Sequence, residues 1–299
     1  MRRLTCWNRP HECHPVNALV LDVDGTIVGA RGTLIPVIKT ALEMVWDRLA
    51  VILASGRPAS GVRYIQSQLG RDGAFIALNG AVLGDAHGRV TAASQELPKA
   101  VVAAIRDVRM NFGESVCGVF AYSSERWLAE GTRPAIRTEA LATRSEPEVC
   151  VDERVVLGFP SIKMTVICRD EGTRDRFCRQ LRRRVGHSCE IEGSKAGYVE
   201  ITRAGVSKGK ALVSLIRREG WERVVSVGDG ANDVSMFKVS SASYAMPWAS
   251  AEAKLAAGKV IARPGHSSLA RLIIACVEVT GRNGARSEIR SLGGRGRGR

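Results

Sequence analysis

Two carboxylates one residue apart, Asp22 and Asp24, end the apolar run of LVLDVDGTIVG (19–29). Extended backbone sends both side chains the same way, because strand side chains alternate. Two such charges repel unless a cation or a shared proton separates them, and a hard cation such as Mg²⁺ takes oxygen ligands. A second apolar run ends in VSVGDGANDVSMF (225–237), which supplies Asp229, Asn232 and Asp233. Ser55 in ASGRP (54–58) offers a hydroxyl, and Lys208 in GVSKGKAL (205–212) offers a cation at a helix start. Hydroxyls, cations and helix N-termini are the groups that hold a phosphate. Each alone is an ordinary turn, cap or surface charge. Four apolar segments that each end in such a group point instead to one shared site. A dinucleotide fingerprint is excluded, because G-D-G-A-N-D lacks the third glycine and Asp229 would face a pyrophosphate.

The elements that must position these groups alternate in type. ALVL (18–21), AVILAS (50–55) and AFIAL (74–78) are strand-like, and 35–49 and 59–69 between them carry helical periodicity. The rhythm returns with a helix over 208–220, a strand over 223–228, a helix over 231–239, strands over 242–246 and 259–262, and a helix over 266–279. Such alternation predicts an α/β fold, a Rossmann-like doubly wound parallel sheet, with the polar groups at the carboxyl ends of its strands, where open sheets bind ligands. Between the two halves the order changes: helices over 97–110 and 173–186, strands over 117–122, 161–168, 189–193 and 198–202. That grouping predicts an inserted α+β unit. Residues 137–156 fit neither pattern. The resulting division is an N-terminal extension (1–16), a discontinuous core (17–83 and 205–280), an insert (84–204) and a Gly/Arg-rich tail (281–299).

With 299 residues, 45% of them hydrophobic, the chain can bury a substantial core in two domains. No run approaches the ~18 apolar residues of a membrane span, and Arg2 and Arg3 precede polar sequence rather than a signal-peptide core, so a cytoplasmic location is expected. The eight cysteines are scattered singly and are expected to be mostly reduced, buried residues. Cys6, His11, Cys13 and His14 match no standard zinc spacing. The net charge of +14 is uneven, since the tail holds six arginines against one glutamate. No aromatic residue interleaves those arginines to stack bases, so the tail is expected to be a disordered end offering at most weak phosphate contacts, and nucleic acid is not the expected partner.

The ordered set of motifs resembles the haloacid dehalogenase superfamily, specifically its Cof-like phosphatases of subclass IIB. DVDGT (22–26), ASGRP (54–58), VSKGKAL (206–212) and GDGANDVSM (228–236) look like its four motifs, and LNGAVL (78–83) looks like the segment leading into its cap. The resemblance implies a C2-type cap in the insert and a Mg²⁺-dependent phosphatase acting on a small phosphomonoester. By carry-over Asp22 is the nucleophile that forms an aspartyl-phosphate, and Asp24 the acid and then the base. Mg²⁺ would be held by Asp22, the Asp24 backbone carbonyl and Asp229, with Asp233 orienting metal waters or Lys208. Ser55, Lys208 and, more weakly, Asn232 would bind the phosphoryl oxygens. Arg57 and Asn79 would contact substrate or stabilise the cap entrance. Lys208 and Lys210 compete for the third-motif role, and the spacing from VSKG favours Lys208. A phosphosugar mutase of the same fold keeps the same aspartates, and a nucleic-acid-binding protein acting through its tail is the alternative of a different class.

Overall fold

The computed structural model describes residues 16–29, 32–150, 152–194, 197–262 and 265–277. Cys6, His11, Cys13, His14 and the tail lie outside them. The chain begins with β1 (Ala18–Asp22), α1 (Pro36–Val45), β2 (Ala50–Ala54), α2 (Ala59–Ser67), β3 (Phe75–Ala77), β4 (Val82–Gly84) and β5 (Val90–Ala93). It continues with α3 (Lys99–Met110), β6 (Val116–Tyr122), β7 (Trp127–Gly131), α4 (Arg133–Thr143), β8 (Glu148–Val149), α5 (Glu153–Gly158), β9 (Lys163–Cys168), α6 (Glu171–Val185), β10 (Cys189–Gly193) and β11 (Tyr198–Arg203). It closes with α7 (Lys208–Glu219), β12 (Val224–Gly228), α8 (Val234–Phe237), β13 (Ala242–Ala245), α9 (Ala251–Ala256), β14 (Lys259–Val260) and a helix over 266–277.

The first sheet has the order β14-β13-β12-β1-β2-β3-β4-β5. It is parallel from β14 to β3, with β4 and β5 added antiparallel at one edge. All five residues of β1 are buried. Because alternate side chains face opposite ways, this strand is covered on both sides, as a doubly wound sheet requires. The helices follow from pattern and caps. In α1, Pro36 stands in the first turn, where its missing N–H costs nothing, and Ile38, Ala41, Leu42 and Val45 make one buried stripe. In α7 the Ser207 hydroxyl accepts the Lys210 N–H at 3.2 Å, and Gly220 ends the helix at φ 68°.

The second sheet has the order β10-β11-β9-β6-β7-β8. It is antiparallel except for the β7–β8 pair. Val119, Val166, Val199 and Ile201 pack with Val101, Ile105, Phe177 and Leu181 of α3 and α6 into a separate core. On the side joined to the first core, Trp127 stacks on Tyr122 with centroids 5.2 Å apart, and its indole N–H donates to Ser145 Oγ at 3.0 Å.

The expected fold class is the observed one: a parallel α/β core with an inserted α+β unit. Residues 137–156, unpatterned in sequence, hold most of α4, the two-residue β8 and the start of α5. The helix expected over 231–239 is a 3₁₀ turn (Ala231–Asp233) followed by the single turn of α8. The six described cysteines are free, and four of them are buried. Among the described residues no helix is long and apolar enough to cross a membrane.

Candidate active site

Parallel pairing aligns the ends of three neighbouring strands. Asp22 ends β1 opposite Ala54 of β2, which puts Ser55 one residue beyond, and Gly228 ends β12 just before Asp229. Gly25, at φ +81°, is required here: a Cβ on it would lie 2.2 Å from Asp229 Oδ2. A side chain at that position would strain the backbone and push the Asp229 carboxylate out of its place.

Lys208 is fully buried and donates to Asp22 Oδ1 at 2.6 Å and to Asp233 Oδ1 at 2.7 Å. Lys210, two residues on, is exposed. Burial alone would lower the Lys208 ammonium's pKa, but the charges and hydrogen bonds of Asp22 and Asp233 overrule it and hold it well above its ordinary value. The other Asp233 oxygen accepts the backbone N–H groups of Asp229 and Gly230, each at 2.9 Å. Both Asp233 oxygens are thus committed, one to Lys208 and one to the turn that carries Asp229.

Asp22 is differently placed. Its Oδ2 is buried and accepts no hydrogen bond. Burial first, then the charges of Asp233 and Asp229, push its carboxyl well up against the pull of Lys208. Burial and the Asp233 charge likewise push Asp229 up to about 6. Ligand oxygens of Asp22, Asp229 and Asp233 lie within 4.8 Å of one another. An orphaned carboxylate oxygen beside a second carboxylate, with only Lys208 to offset three negative charges, is the donor set that a hard divalent cation fits.

Arg57 takes hold of Asp24. Its Nε donates to Asp24 Oδ2 at 2.9 Å and its Nη2 to Oδ1 at 2.8 Å, a fork-to-fork pair in which Arg57 is buried and Asp24 partly open. Ser55 Oγ accepts the Arg57 backbone N–H at 3.1 Å and stands 3.5 Å from Asp24 Oδ2. Asn79, at φ 58°, donates to Glu200 of β11 and accepts from Asn232 Nδ2 at 3.1 Å. Lys163 of β9 donates to Glu200 at 3.0 Å and to the Gly56 carbonyl at 2.9 Å. Two polar contacts therefore join the second sheet to the loops of the first, beside the aspartates.

A cavity of about 380 Å³ opens between the two sheets. Asp22, Asp24, Arg57, Asp229 and Asn232 line it, whereas Ser55, Asn79, Lys208 and Asp233 stand behind that first row. Its opposite wall comes from residues that motif reading missed: Glu139, Glu192, Tyr198 and Glu200. A usable signal existed in β11, where Val199 and Ile201 alternate with Tyr198 and Glu200, but which face met the site was not readable without the fold.

The bidentate Arg57–Asp24 pair predicts that Arg57→Lys keeps the charge but loses the orientation of Asp24, lowering kcat about 10²-fold with a smaller change in KM. Steady-state phosphate release checks this, and an equal loss in both parameters would place Arg57 in substrate binding instead.

Comparison with known proteins agrees with this geometry. Residues 19–273 match the family model described as haloacid dehalogenase-like hydrolase. The chain is 27% identical over 266 residues to the pyridoxal phosphate phosphatase YbhA of Escherichia coli (strain K12), covering 85% of this chain and 96% of that protein. It is 28% identical over 258 residues to a phosphoglycolate phosphatase of Halorubrum lacusprofundi, covering 83% and 91%. Among solved structures, a haloacid dehalogenase-like hydrolase from Bacteroides thetaiotaomicron superposes with a TM-score of 0.74 at 23% identity, covering 86% of this chain and 98% of that one. A subclass IIB sugar phosphatase superposes with a TM-score of 0.71 at 22% identity, with the same coverage. The match runs from the strand that carries Asp22 to the last helix, and the chain belongs to the haloacid dehalogenase-like hydrolase family, with the fold of its subclass IIB members.

Proposed function

We propose that this enzyme is a Mg²⁺-dependent phosphatase that hydrolyses a small phosphomonoester, a sugar phosphate or a phosphorylated metabolite or cofactor, through an aspartyl-phosphate on Asp22. The observation that carries the reading is Asp22 itself. One oxygen is pinned by Lys208, and the other is buried, unpartnered and on a residue that lines the cavity. The naming of curated relatives as phosphatases supports the same chemistry.

Asp22 attacks phosphorus, and the bond from phosphorus to the alcohol oxygen breaks. Asp24 gives its proton to the departing alcohol, then takes one from the water that hydrolyses the acyl phosphate, which restores Asp22 and releases inorganic phosphate. Arg57 orients Asp24 through two hydrogen bonds, one of which opens while Asp24 carries the proton. Lys208, with Ser55 and Asn232, stabilises the charge on the transferring group. Asp22, Asp229 and the Asp24 carbonyl would hold Mg²⁺, which would supply the positive charge that lets one anion approach another. Asp233 serves by fixing Lys208 and the Asp229 turn.

The core is residues 17–83 and 205–280 and the cap is the insert 84–204. β5 (Val90–Ala93) hydrogen-bonds into the first sheet, so the cap's own sheet starts after it, at β6. The cap closes the cavity against water and reads the leaving group.

Phosphate release from a panel that includes glucose 6-phosphate, pyridoxal phosphate and p-nitrophenyl phosphate tests this. Release is expected with Mg²⁺ alone, lost in EDTA and restored by added Mg²⁺. Turnover indifferent to EDTA would remove the metal from the reading, and a requirement for a sugar bisphosphate activator would mark a mutase.

A further inference from the structure

The reaction proposed for the core leaves the cavity's opposite wall unexplained. Glu192 and Glu200 are direct cross-strand partners in the antiparallel β10–β11 pair. Like charges placed opposite each other on one face destabilise a sheet, so this pair calls for a compensating charge. Glu200 has its own, in Lys163 at 3.0 Å, and also accepts from Ser194 Oγ at 2.9 Å. The Glu192 side chain forms no hydrogen bond and no ion pair with any described residue, although it lines the cavity. Desolvation of its carboxyl by the cleft, then the charge of Glu200, push its pKa up from the ordinary value, although the residue as a whole stays exposed. Glu139, buried on α4, adds a third carboxylate to the same wall and accepts from the Tyr122 hydroxyl at 3.4 Å.

Among the described lining residues seven carry carboxylates (Asp22, Asp24, Glu139, Glu192, Glu200, Asp229 and Glu252), and only Arg57 carries a positive charge. Two further atoms mark the cavity as incomplete without a ligand. Asp22 Oδ2 and Arg57 Nη1 are both buried, both on lining residues that are at most 5% exposed, and both without a hydrogen-bond partner. A phosphoryl group with its metal answers those two atoms, but it adds negative charge and does nothing for Glu192. The leaving group has to supply what that wall lacks.

We propose that the phosphomonoester carries a cationic leaving group, an ammonium or a protonated ring nitrogen, which Glu192 reads together with Glu139. The inference rests on the phosphatase reading and narrows its substrate class to zwitterionic phosphomonoesters. Tyr198 lines the same wall beside Glu139. An anionic leaving group, such as the carboxylate of 2-phosphoglycolate, meets the same wall as repulsion.

Two matched pairs test this at neutral pH with Mg²⁺: glucosamine 6-phosphate against glucose 6-phosphate, and ethanolamine phosphate against 2-phosphoglycolate. The cationic member of each pair is expected to have the higher kcat/KM by at least about tenfold, the scale of one charged hydrogen bond. Glu192→Gln, at an exposed position that folding tolerates, is expected to bring both ratios to within about threefold of unity, a loss of most of that charged contact. Glu139→Gln gives a second reading of the same wall. Ratios at or below unity in the wild-type enzyme, or ratios unchanged in both variants, overturn the inference while leaving the phosphatase reading intact. Absence of release from every substrate, including p-nitrophenyl phosphate, overturns both.

Discussion

Asp22→Asn is expected to cut phosphate release by at least about 10³-fold, the scale on which loss of a nucleophile acts, while the protein stays folded. The two halves of that expectation have separate causes. Asparagine has nearly the shape of aspartate but offers no anion to attack phosphorus, so the chemical step has no nucleophile. The fold does not depend on the Asp22 charge in the same way. Burial and the charges of Asp233 and Asp229 already disfavour an anion at this position, and Lys208 retains Asp233 at 2.7 Å when Asp22 is neutralised. The thermal midpoint measured without metal is therefore expected to stay level or rise. Activity measured with Mg²⁺ on the best substrate of the panel checks the first half, and a thermal melt of the same preparation checks the second. Turnover that survives in Asp22→Asn would sink the aspartyl-phosphate route, whatever the melt shows.

Lys208→Met reverses the balance and is expected to damage the fold as well as the activity. Lys208 is fully enclosed, with Asp22 and Asp233 both within 2.7 Å of its ammonium. Removal of the cation leaves two carboxylates in a buried site without their counter-charge. Breaking a buried ion pair by deleting one partner costs about 3–5 kcal/mol, which corresponds to a fall of roughly 10 °C in Tm for a chain of this size. Asp233 also holds the backbone of Asp229 and Gly230, so disorder at Lys208 passes to the second acidic turn. Differential scanning calorimetry without metal measures the loss. Added Mg²⁺ is expected to recover part of it, because a bound cation stabilises the state that binds it. An unchanged Tm would show that the triad does not hold the two halves of the core together.

The near wall of the cavity was legible in the sequence because it is built locally. A carboxylate or hydroxyl directly after an apolar strand is fixed at the sheet's edge by the strand itself, which is why Asp22, Asp24, Ser55 and Asp229 could be named before any fold was known. The spacing from VSKG favoured Lys208 over Lys210, and a helix that turns about 100° per residue sends positions two apart to different faces. The far wall was not legible. Glu192 and Glu200 meet only because β10 and β11 pair in one register, and a one-residue slip would have put them on opposite faces. The short strands β4, β5 and β8, two to four residues each, have too few alternations for a period to show. The helix over 231–239 was overestimated for a chemical reason. Asp233 turns its carboxylate back onto the preceding N–H groups, so the chain makes a tight turn before α8 begins.

The bridge formed by Lys163 with the Gly56 carbonyl, and by Asn79 with Glu200, joins the two sheets at the rim of the cavity. Any widening of the cleft must break both contacts and return a lysine, a glutamate and an amide to water. Arrival of substrate and departure of product thus face a toll set by solvation, independent of the bond being cleaved, and the enzyme's tempo and its chemistry become properties that selection can adjust separately.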